Sequence, residues 1–189
     1  MKKILAMLVS AAIMAGMCGC AAKTEAKPMI QVDIESGVFT VTPQEFIDEW
    51  NQSLKNFQDA SSDSKAKYII PMPDYVNSGE AINLTKGLDV TLSEDPDSGK
   101  LKKIEIQRYI WTITNEGSLT HGFMVSAFPS LFNPKTELDL ATEFNLDSSY
   151  DMGDIADGDV IFSYIAYEGL TSIYIEPMHL QLPDQTSST

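Results

Sequence analysis

Apolar side chains recur at helical spacing over residues 43–58, which predicts one amphipathic helix there. The stripe consists of Phe46, Ile47, Trp50, Leu54 and Phe57. Thr42 stands where an N-cap belongs, Pro43 suits the first helical position, and Glu45 completes a capping box with Thr42. Because aromatic stripes at this spacing usually belong to a core, we predict that Trp50 is buried against a sheet and does not line a ligand groove.

Alternating apolar and polar positions predict two antiparallel hairpins, and one short strand at 29–34. The first hairpin covers 88–113, around a loop rich in turn-forming residues. The second covers 160–176 around Glu168-Gly169, and its longer apolar runs indicate a more buried place in the sheet. In the first hairpin, the face opposite Ile104 and Ile106 receives a second row of side chains: Glu105, Gln107, Tyr109 and Trp111.

A second amphipathic segment predicts a helix over about 119–128, with Leu119, Phe123 and Ala127 in one row. Pro129 should kink or end this helix. The order helix, hairpin, helix, hairpin predicts an α+β fold in which two helices pack on one face of an antiparallel sheet. The similar spacing of the two halves hints at an α-β-β duplication, although the residues themselves do not repeat.

The first twenty residues have the composition of an export signal. Met1-Lys2-Lys3 is followed by an apolar run that is too short to span a bilayer. The run ends in Met17-Cys18-Gly19-Cys20, which resembles the lipobox of bacterial lipoproteins: an apolar residue at −3 and a small residue at −1 precede the cysteine that receives lipid. Cys18 is the poorer acceptor because bulky Met17 would then occupy the −1 position. The resemblance implies a signal peptide over 1–19.

The lipobox resemblance also implies that Cys20 is lipid-modified and anchors the mature protein to the cell membrane or the outer membrane, facing outside the cytoplasm. Residues 20–28 are small and polar and predict a flexible tether. One domain follows over 29–180, and residues 181–189 predict a disordered tail. Since Cys18 leaves with the signal, no disulfide is expected, and the domain has to be stabilised by an apolar core.

Charge narrows the range of partners. The whole chain carries 13 Lys and Arg against 27 Asp and Glu, a formal net charge of −14. Removal of the signal takes away Lys2 and Lys3 and no acid, which leaves 11 basic and 27 acidic residues and a charge of −16. A field of that sign repels phosphate backbones, so we expect no nucleic-acid partner. Two explanations stay open: solubility at a surface, and acid-mediated recognition of a cationic partner.

Residues with catalytic or metal-binding chemistry are sparse in the mature part. His121 and His179 are far apart and lack Cys partners, so each is expected to be a surface or capping histidine rather than a zinc ligand. The sequence contains no Gly-x-Ser-x-Gly elbow and no phosphate-binding glycine loop. Ser126 and Ser163 lie in apolar segments, and we interpret both as structural. The sequence therefore indicates no cofactor and no nucleophilic residue.

The stretch 147–159 holds five carboxylates interleaved with glycines: Asp147, Asp151, Asp154, Asp157 and Asp159. Calcium accepts oxygen ligands of this kind on flexible loops. The spacing departs from the EF-hand pattern, however, and the bidentate Glu of that pattern is missing. Because Asp also favours turns and caps, we interpret the stretch as a solvated acidic loop, with a calcium site as the weaker alternative.

These features favour a membrane-anchored, non-catalytic lipoprotein of the cell envelope that acts as a binding or accessory domain, with an envelope protein as its partner. The alternative is an envelope hydrolase that uses paired carboxylates, although no pair can be chosen among 27 acids. The two hypotheses predict different surfaces. An enzyme requires a concave pocket where titratable groups converge, whereas a binding module requires an exposed apolar or aromatic patch.

Overall fold

The computed structural model describes residues 28–74 and 77–179. Over these residues the elements are, in chain order, β1 (Val32–Asp33), β2 (Val38–Phe39), α1 (Pro43–Ala60), a 3₁₀ turn (Ala66–Tyr68), β3 (Ala81–Thr85), β4 (Leu88–Glu94), β5 (Leu101–Tyr109), α2 (Asn115–Phe132), α3 (Leu140–Glu143), β6 (Tyr150–Asp157), β7 (Val160–Tyr167) and β8 (Leu170–Pro177). The predicted signal 1–19, Cys20, nearly all of the tether and the tail 181–189 lie outside the described residues. None of the described helices has the length and apolar character needed to cross a bilayer.

The main sheet has six antiparallel strands in the order β3-β4-β5-β8-β7-β6. Two three-stranded meanders, β3 to β5 and β6 to β8, meet at the central pair β5 and β8. The α+β class with an antiparallel sheet is therefore confirmed. The predicted order of helix, hairpin, helix, hairpin is not confirmed. Each predicted hairpin supplies only the second and third strands of a three-stranded meander, because the sequence pattern did not indicate the first strand.

Helix α1 begins as its sequence predicts. The Thr42 hydroxyl accepts a hydrogen bond from the Glu45 amide at 3.2 Å, and the Glu45 carboxylate accepts one from the Thr42 amide at 2.7 Å. These reciprocal bonds satisfy amide groups that have no partner within the helix. The apolar stripe of α1 is buried throughout, and the helix continues two residues past the predicted end to Ala60.

The core is built from the apolar rows of α1, α2 and the main sheet, together with the small sheet of β1 and β2. Trp50 is 1% exposed, which confirms the prediction that it is buried. Its aromatic neighbours lie on α2: the ring centroids of Phe123 and Phe128 are 5.3 and 4.7 Å away. Trp50 therefore packs α1 against α2. The Trp50–Phe128 pair is edge-to-face, and such a pair contributes stability beyond the burial of apolar area.

Helix α2 is longer than the pattern predicts at both ends. It begins at Asn115 because Thr114 caps it, accepting a hydrogen bond from the Gly117 amide at 3.0 Å. At the other end it continues through Pro129 to Phe132, so of the two predicted effects of Pro129, a kink or an end, the end does not occur. The last turn is buried, and the Ile30 amide donates to the Leu131 carbonyl at 3.1 Å. Tertiary packing of the last turn thus compensates for the loss of the helical hydrogen bond that proline cannot donate.

Residues 150–157 form β6, an edge strand of the main sheet paired along its length with β7. The interpretation of this stretch as a solvated acidic loop is therefore wrong for Asp151, Asp154 and Asp157, which lie within the strand. Asp and Gly have low strand propensity, and that obscured the alternation of the segment. An edge strand tolerates these residues, and its charges discourage pairing with a second copy.

Candidate functional site

A row of apolar side chains crosses the outer face of the main sheet at one end. Tyr150 on β6 is the register partner of Tyr167 on β7, Tyr167 pairs with Leu170 on β8, and Leu170 pairs with Tyr109 on β5. Residues in register point to the same face of a sheet, so these four side chains lie side by side. Tyr150 and Tyr167 meet edge to face, with ring centroids 6.3 Å apart.

Six large apolar side chains of this region are exposed, and we call them the aromatic patch: Tyr109, Trp111, Tyr150, Met152, Ile165 and Tyr167. Trp111 is 83% exposed, and Tyr150 is 66% exposed. Met152 and Ile165 are register partners in the row next to the tyrosines, which makes the patch continuous. The alternate positions of β7 face the core, where Phe162 and Tyr164 are buried. The patch therefore follows from the two-residue period of the strands, which places one row in the core and leaves the other uncovered.

Trp111 is held beside the turn between β7 and β8. Glu168 and Gly169 both have positive φ, 44° and 85°, as a two-residue hairpin turn of the primed type requires. The Trp111 indole N–H donates to the Glu168 carbonyl at 3.4 Å, and the Ile110 amide donates to the Gly169 carbonyl at 2.7 Å. The indole is thus solvent-exposed and also oriented by the backbone of the hairpin.

The strands that carry most of the aromatic patch, β6 to β8, bear charge of one sign, whereas the exposed Lys86 lies in the turn beside Tyr109. Strands β6 to β8 contain no Lys or Arg, and residues 109–179 contain a single Lys, Lys135. Glu168 is exposed in the turn beside Trp111, and Asp154 is exposed on the same face as Met152, one row further along β6. Basic side chains are concentrated on the other half of the sheet, where Lys103 lies over the Tyr174 ring at 5.1 Å and within 3.9 Å of Glu105.

The structure does not bring the five aspartates together. Asp147 accepts a hydrogen bond from Arg108 at 2.6 Å. Asp151 contacts the Tyr164 hydroxyl, and burial together with that hydrogen bond raises the pKa of Tyr164. Asp157 accepts from the Asn133 side chain at 2.7 Å, which ties β6 to the end of α2. Asp154 points to the opposite face, and Asp159 is exposed in the following turn. Among the described residues, no group of three or more His, Cys, Asp and Glu side chains is placed to hold a metal ion.

A cleft of about 550 Å³ lies between α2 and the segment 139–147, and its lining includes Arg108, His121, Asp139, Glu143 and Asp147. The Arg108 guanidinium also donates to the Leu146 carbonyl at 2.8 Å, which the Thr171 hydroxyl reaches at 2.9 Å. These hydrogen bonds hold the segment 139–147 against strands β5 and β8 of the main sheet. Asp139 caps α3 by accepting from the Ala141 amide at 3.1 Å.

His121 lines this cleft and is 2% exposed, so the expectation of a surface or capping histidine is wrong. Burial and the neighbouring Arg108 guanidinium lower the pKa of His121 to about 3, and Asp147 offsets this only in part. The imidazole is therefore neutral at pH 7. Nε2 of His121 and Nε of Arg108 are buried without a hydrogen-bond partner. His179, by contrast, is exposed and lies beside Gly37, as its surface assignment predicts.

Sequence reasoning placed Tyr109 and Trp111 on the face opposite the core, but it did not connect them with β6 and β7. The missing signal was the alternation of Tyr150, Met152 and Asp154 with Asp151 and Gly153, which becomes visible once the segment is treated as an edge strand. No known protein family, curated protein or solved structure matches the chain.

Proposed function

We propose that the protein is a membrane-anchored, non-catalytic binding domain of the cell envelope, and that the aromatic patch holds its partner. The main support is the row of four apolar side chains in register on the outer face of the sheet. Three of them, Tyr109, Tyr150 and Tyr167, are exposed, and the exposed Trp111 extends the row. Isolated exposed apolar residues are ordinary on protein surfaces, but a continuous patch of large ones indicates an interaction site.

The composition of the patch suits binding. Tyr and Trp supply large contact area with few rotatable bonds, and they dominate the binding energy of known protein interfaces. Trp111, Tyr150 and Tyr167 stand on paired strands or beside a tight turn, so little conformational entropy is lost when a partner covers them. A rigid aromatic surface of this kind favours a binding role over a purely structural one.

The alternative, a hydrolase with paired carboxylates, receives less support from the cleft. Asp139 caps α3, and Asp147 pairs with Arg108, so both have structural contacts that explain their positions. Asp147 is also 86% exposed in its side chain, whereas a catalytic acid usually lies in a desolvated position. We therefore assign the cleft no reaction.

The lipid anchor that Cys20 is proposed to carry fits the same function. If residues 20–28 form the predicted tether, a chain of that length spans at most about 30 Å, at roughly 3.3 to 3.6 Å per residue. A domain held at that distance meets partners of the envelope surface. Its partner is therefore expected to be another envelope component, as the predicted export signal also implies.

Affinity capture from solubilised membranes tests this proposal. The full chain, a variant with Trp111→Ser and Tyr167→Ser, and a control with Tyr68→Ser would be used as baits side by side. Tyr68 is 50% exposed in the 3₁₀ turn, outside the patch, so it controls for the loss of one exposed aromatic ring. A partner of the patch should be recovered by the wild type and the control. The patch variant should lose about tenfold or more of it, since hot-spot truncations cost about 2 kcal/mol.

Equal recovery by the patch variant and the wild type would contradict the proposal. Both variants change exposed side chains, so thermal unfolding should show that they retain the stability of the wild type. A variant that loses its partner and its fold together would have to be replaced by Tyr150→Ser with Trp111→Ser before any conclusion is drawn.

A further inference from the structure

We infer that the partner of the aromatic patch is a cationic polypeptide segment, whose Lys or Arg side chains lie over the exposed rings of Trp111, Tyr150 and Tyr167. This inference rests on the proposed function and specifies the chemistry of the partner. It depends on a different observation, the distribution of charge around the patch.

The three strands that carry four of the six patch residues, β6 to β8, are purely anionic. Between Tyr150 and Pro177 the described strands hold carboxylates and neither Lys nor Arg. A partner that lacked positive charge would leave these carboxylates uncompensated as it covered them, which costs free energy. A partner that carries ammonium or guanidinium groups would pair with them, starting with Glu168 beside Trp111 and Asp154 beside Met152.

Aromatic rings also attract cations directly. The face of an indole or phenol ring carries negative potential, and a Lys or Arg head group within about 6 Å of its centre is stabilised. The outer face of this sheet already contains one such contact, between Lys103 and the Tyr174 ring at 5.1 Å, with Glu105 as the carboxylate partner of the same ammonium. At the patch, the exposed Trp111 ring is bonded to the backbone of Glu168, whose side chain is an exposed carboxylate, and neither residue supplies a cation.

Titration calorimetry with simple probes tests the inference on the full chain held in phosphatidylcholine nanodiscs. The probes are a peptide of six arginines, a peptide of six glutamines and a neutral hexamer of N-acetylglucosamine. We expect the arginine peptide to bind and the other two not to bind. Trp111→Ala should weaken binding by about tenfold, a change that leaves the net charge untouched.

Carboxylate variants separate recognition by the patch from diffuse attraction to an acidic protein. Asp154→Asn with Glu168→Gln removes two charges at the patch, and Asp48→Asn with Glu49→Gln removes two exposed charges from α1 as the matched control. The first pair of substitutions should weaken binding of the arginine peptide several-fold, and the control pair should not. Equal weakening by both pairs, with no effect of Trp111→Ala, would show diffuse attraction and overturn the inference.

Two further outcomes would also overturn it. Binding of the hexasaccharide that depends on Trp111, without binding of the arginine peptide, would identify the patch as a glycan site. If no probe binds while the capture experiment still yields a partner that needs Trp111 and Tyr167, the cationic partner is rejected and the proposed binding function stands.

Discussion

The indole of Trp111 lies directly against Gly169, so that a Cβ placed at residue 169 would overlap Nε1 of the indole. Glycine is needed there for two reasons. Its φ of 85° belongs to the backbone region that residues other than glycine rarely adopt. The indole also occupies the space that a Cβ would need. The turn between β7 and β8 thus determines both the register of the hairpin and the position of the most exposed aromatic ring in the described chain.

Gly169→Ala should therefore cost more stability than an ordinary glycine in a turn. Gly99→Ala is the matched control, since Gly99 has a φ of 67° and nothing lies within 4 Å of the Cβ position. The control is expected to lose about 1 kcal/mol from backbone strain, and Gly169→Ala to lose more, because it also displaces Trp111. Urea unfolding measures both. In a Trp111→Ala background the excess cost at residue 169 should disappear, and its persistence would contradict the contact.

Trp50→Ala should destabilise the domain by about 3 to 5 kcal/mol, because it leaves a cavity between α1 and α2. Such a loss is a large part of the roughly 5 to 15 kcal/mol that domains possess. Trp50→Phe should cost less, since it keeps a ring between Phe123 and Phe128 and removes a buried indole N–H that has no partner. Urea unfolding distinguishes the two, and Trp111→Ala serves as the exposed control. In the Trp111→Ala variant, where Trp50 is the remaining tryptophan, emission at the wavelength of a water-exposed indole would disagree with the burial of Trp50.

The free energy of unfolding should fall as the pH is lowered from 6.5 to about 3, because His121 resists protonation in the folded chain. Its folded pKa of about 3 is below the 6.5 of an unperturbed histidine, so the unfolded chain binds a proton there that the folded chain does not. The contribution of His121 to the free energy of unfolding is complete above pH 6.5. It declines as the pH falls, by up to about 1.4 kcal/mol per pH unit. NMR titration of the imidazole gives the pKa, and Arg108→Met should raise it. His121→Phe should flatten the stability profile between pH 6.5 and 5, above the range in which carboxylates titrate.

Calcium should not be required for folding, because Asp147, Asp151 and Asp157 each have protein partners and Asp154 faces the other side of β6. Thermal melts at micromolar calcium are expected to match melts with magnesium at equal ionic strength. A specific site would bind one ion per chain and would lose it in the double variant Asp151→Asn, Asp154→Asn. A large calcium-specific rise in the melting temperature that this variant abolishes would overturn the expectation.

Cys20→Ser should release the protein from membranes, whereas Cys18→Ser should leave it anchored. The reason is the small Gly19 at the −1 position before Cys20, against bulky Met17 before Cys18. An uncleaved signal could hold the Cys20→Ser protein on the membrane, so fractionation alone does not decide. Mass spectrometry of the mature N-terminus should show acyl groups on Cys20, and an unmodified N-terminus elsewhere would refute the lipid anchor.

Local sequence signals were sufficient to predict those features of the structure that depend on residues close together in the chain. The capping box of Thr42 and Glu45 placed the start of α1, and the Glu168-Gly169 pair placed the turn of the second hairpin, because caps and tight turns are formed by residues close in the chain. The apolar stripe of α1 likewise identified Trp50 as core, since its period follows from helix geometry.

Tertiary structure decided the rest. Pro129 remains inside α2 because the last turn is buried and the distant Ile30 amide satisfies one of its carbonyls. The acidic residues 150–157 form a strand because β7 offers a complete hydrogen-bonding partner, which no propensity of Asp or Gly indicates. The aromatic patch and the burial of His121 depend on how distant segments pair and pack. The sequence by itself therefore determined the elements that local bonds create, and only the assembled sheet determined which side chains meet on its surface, since those contacts join residues far apart in the chain.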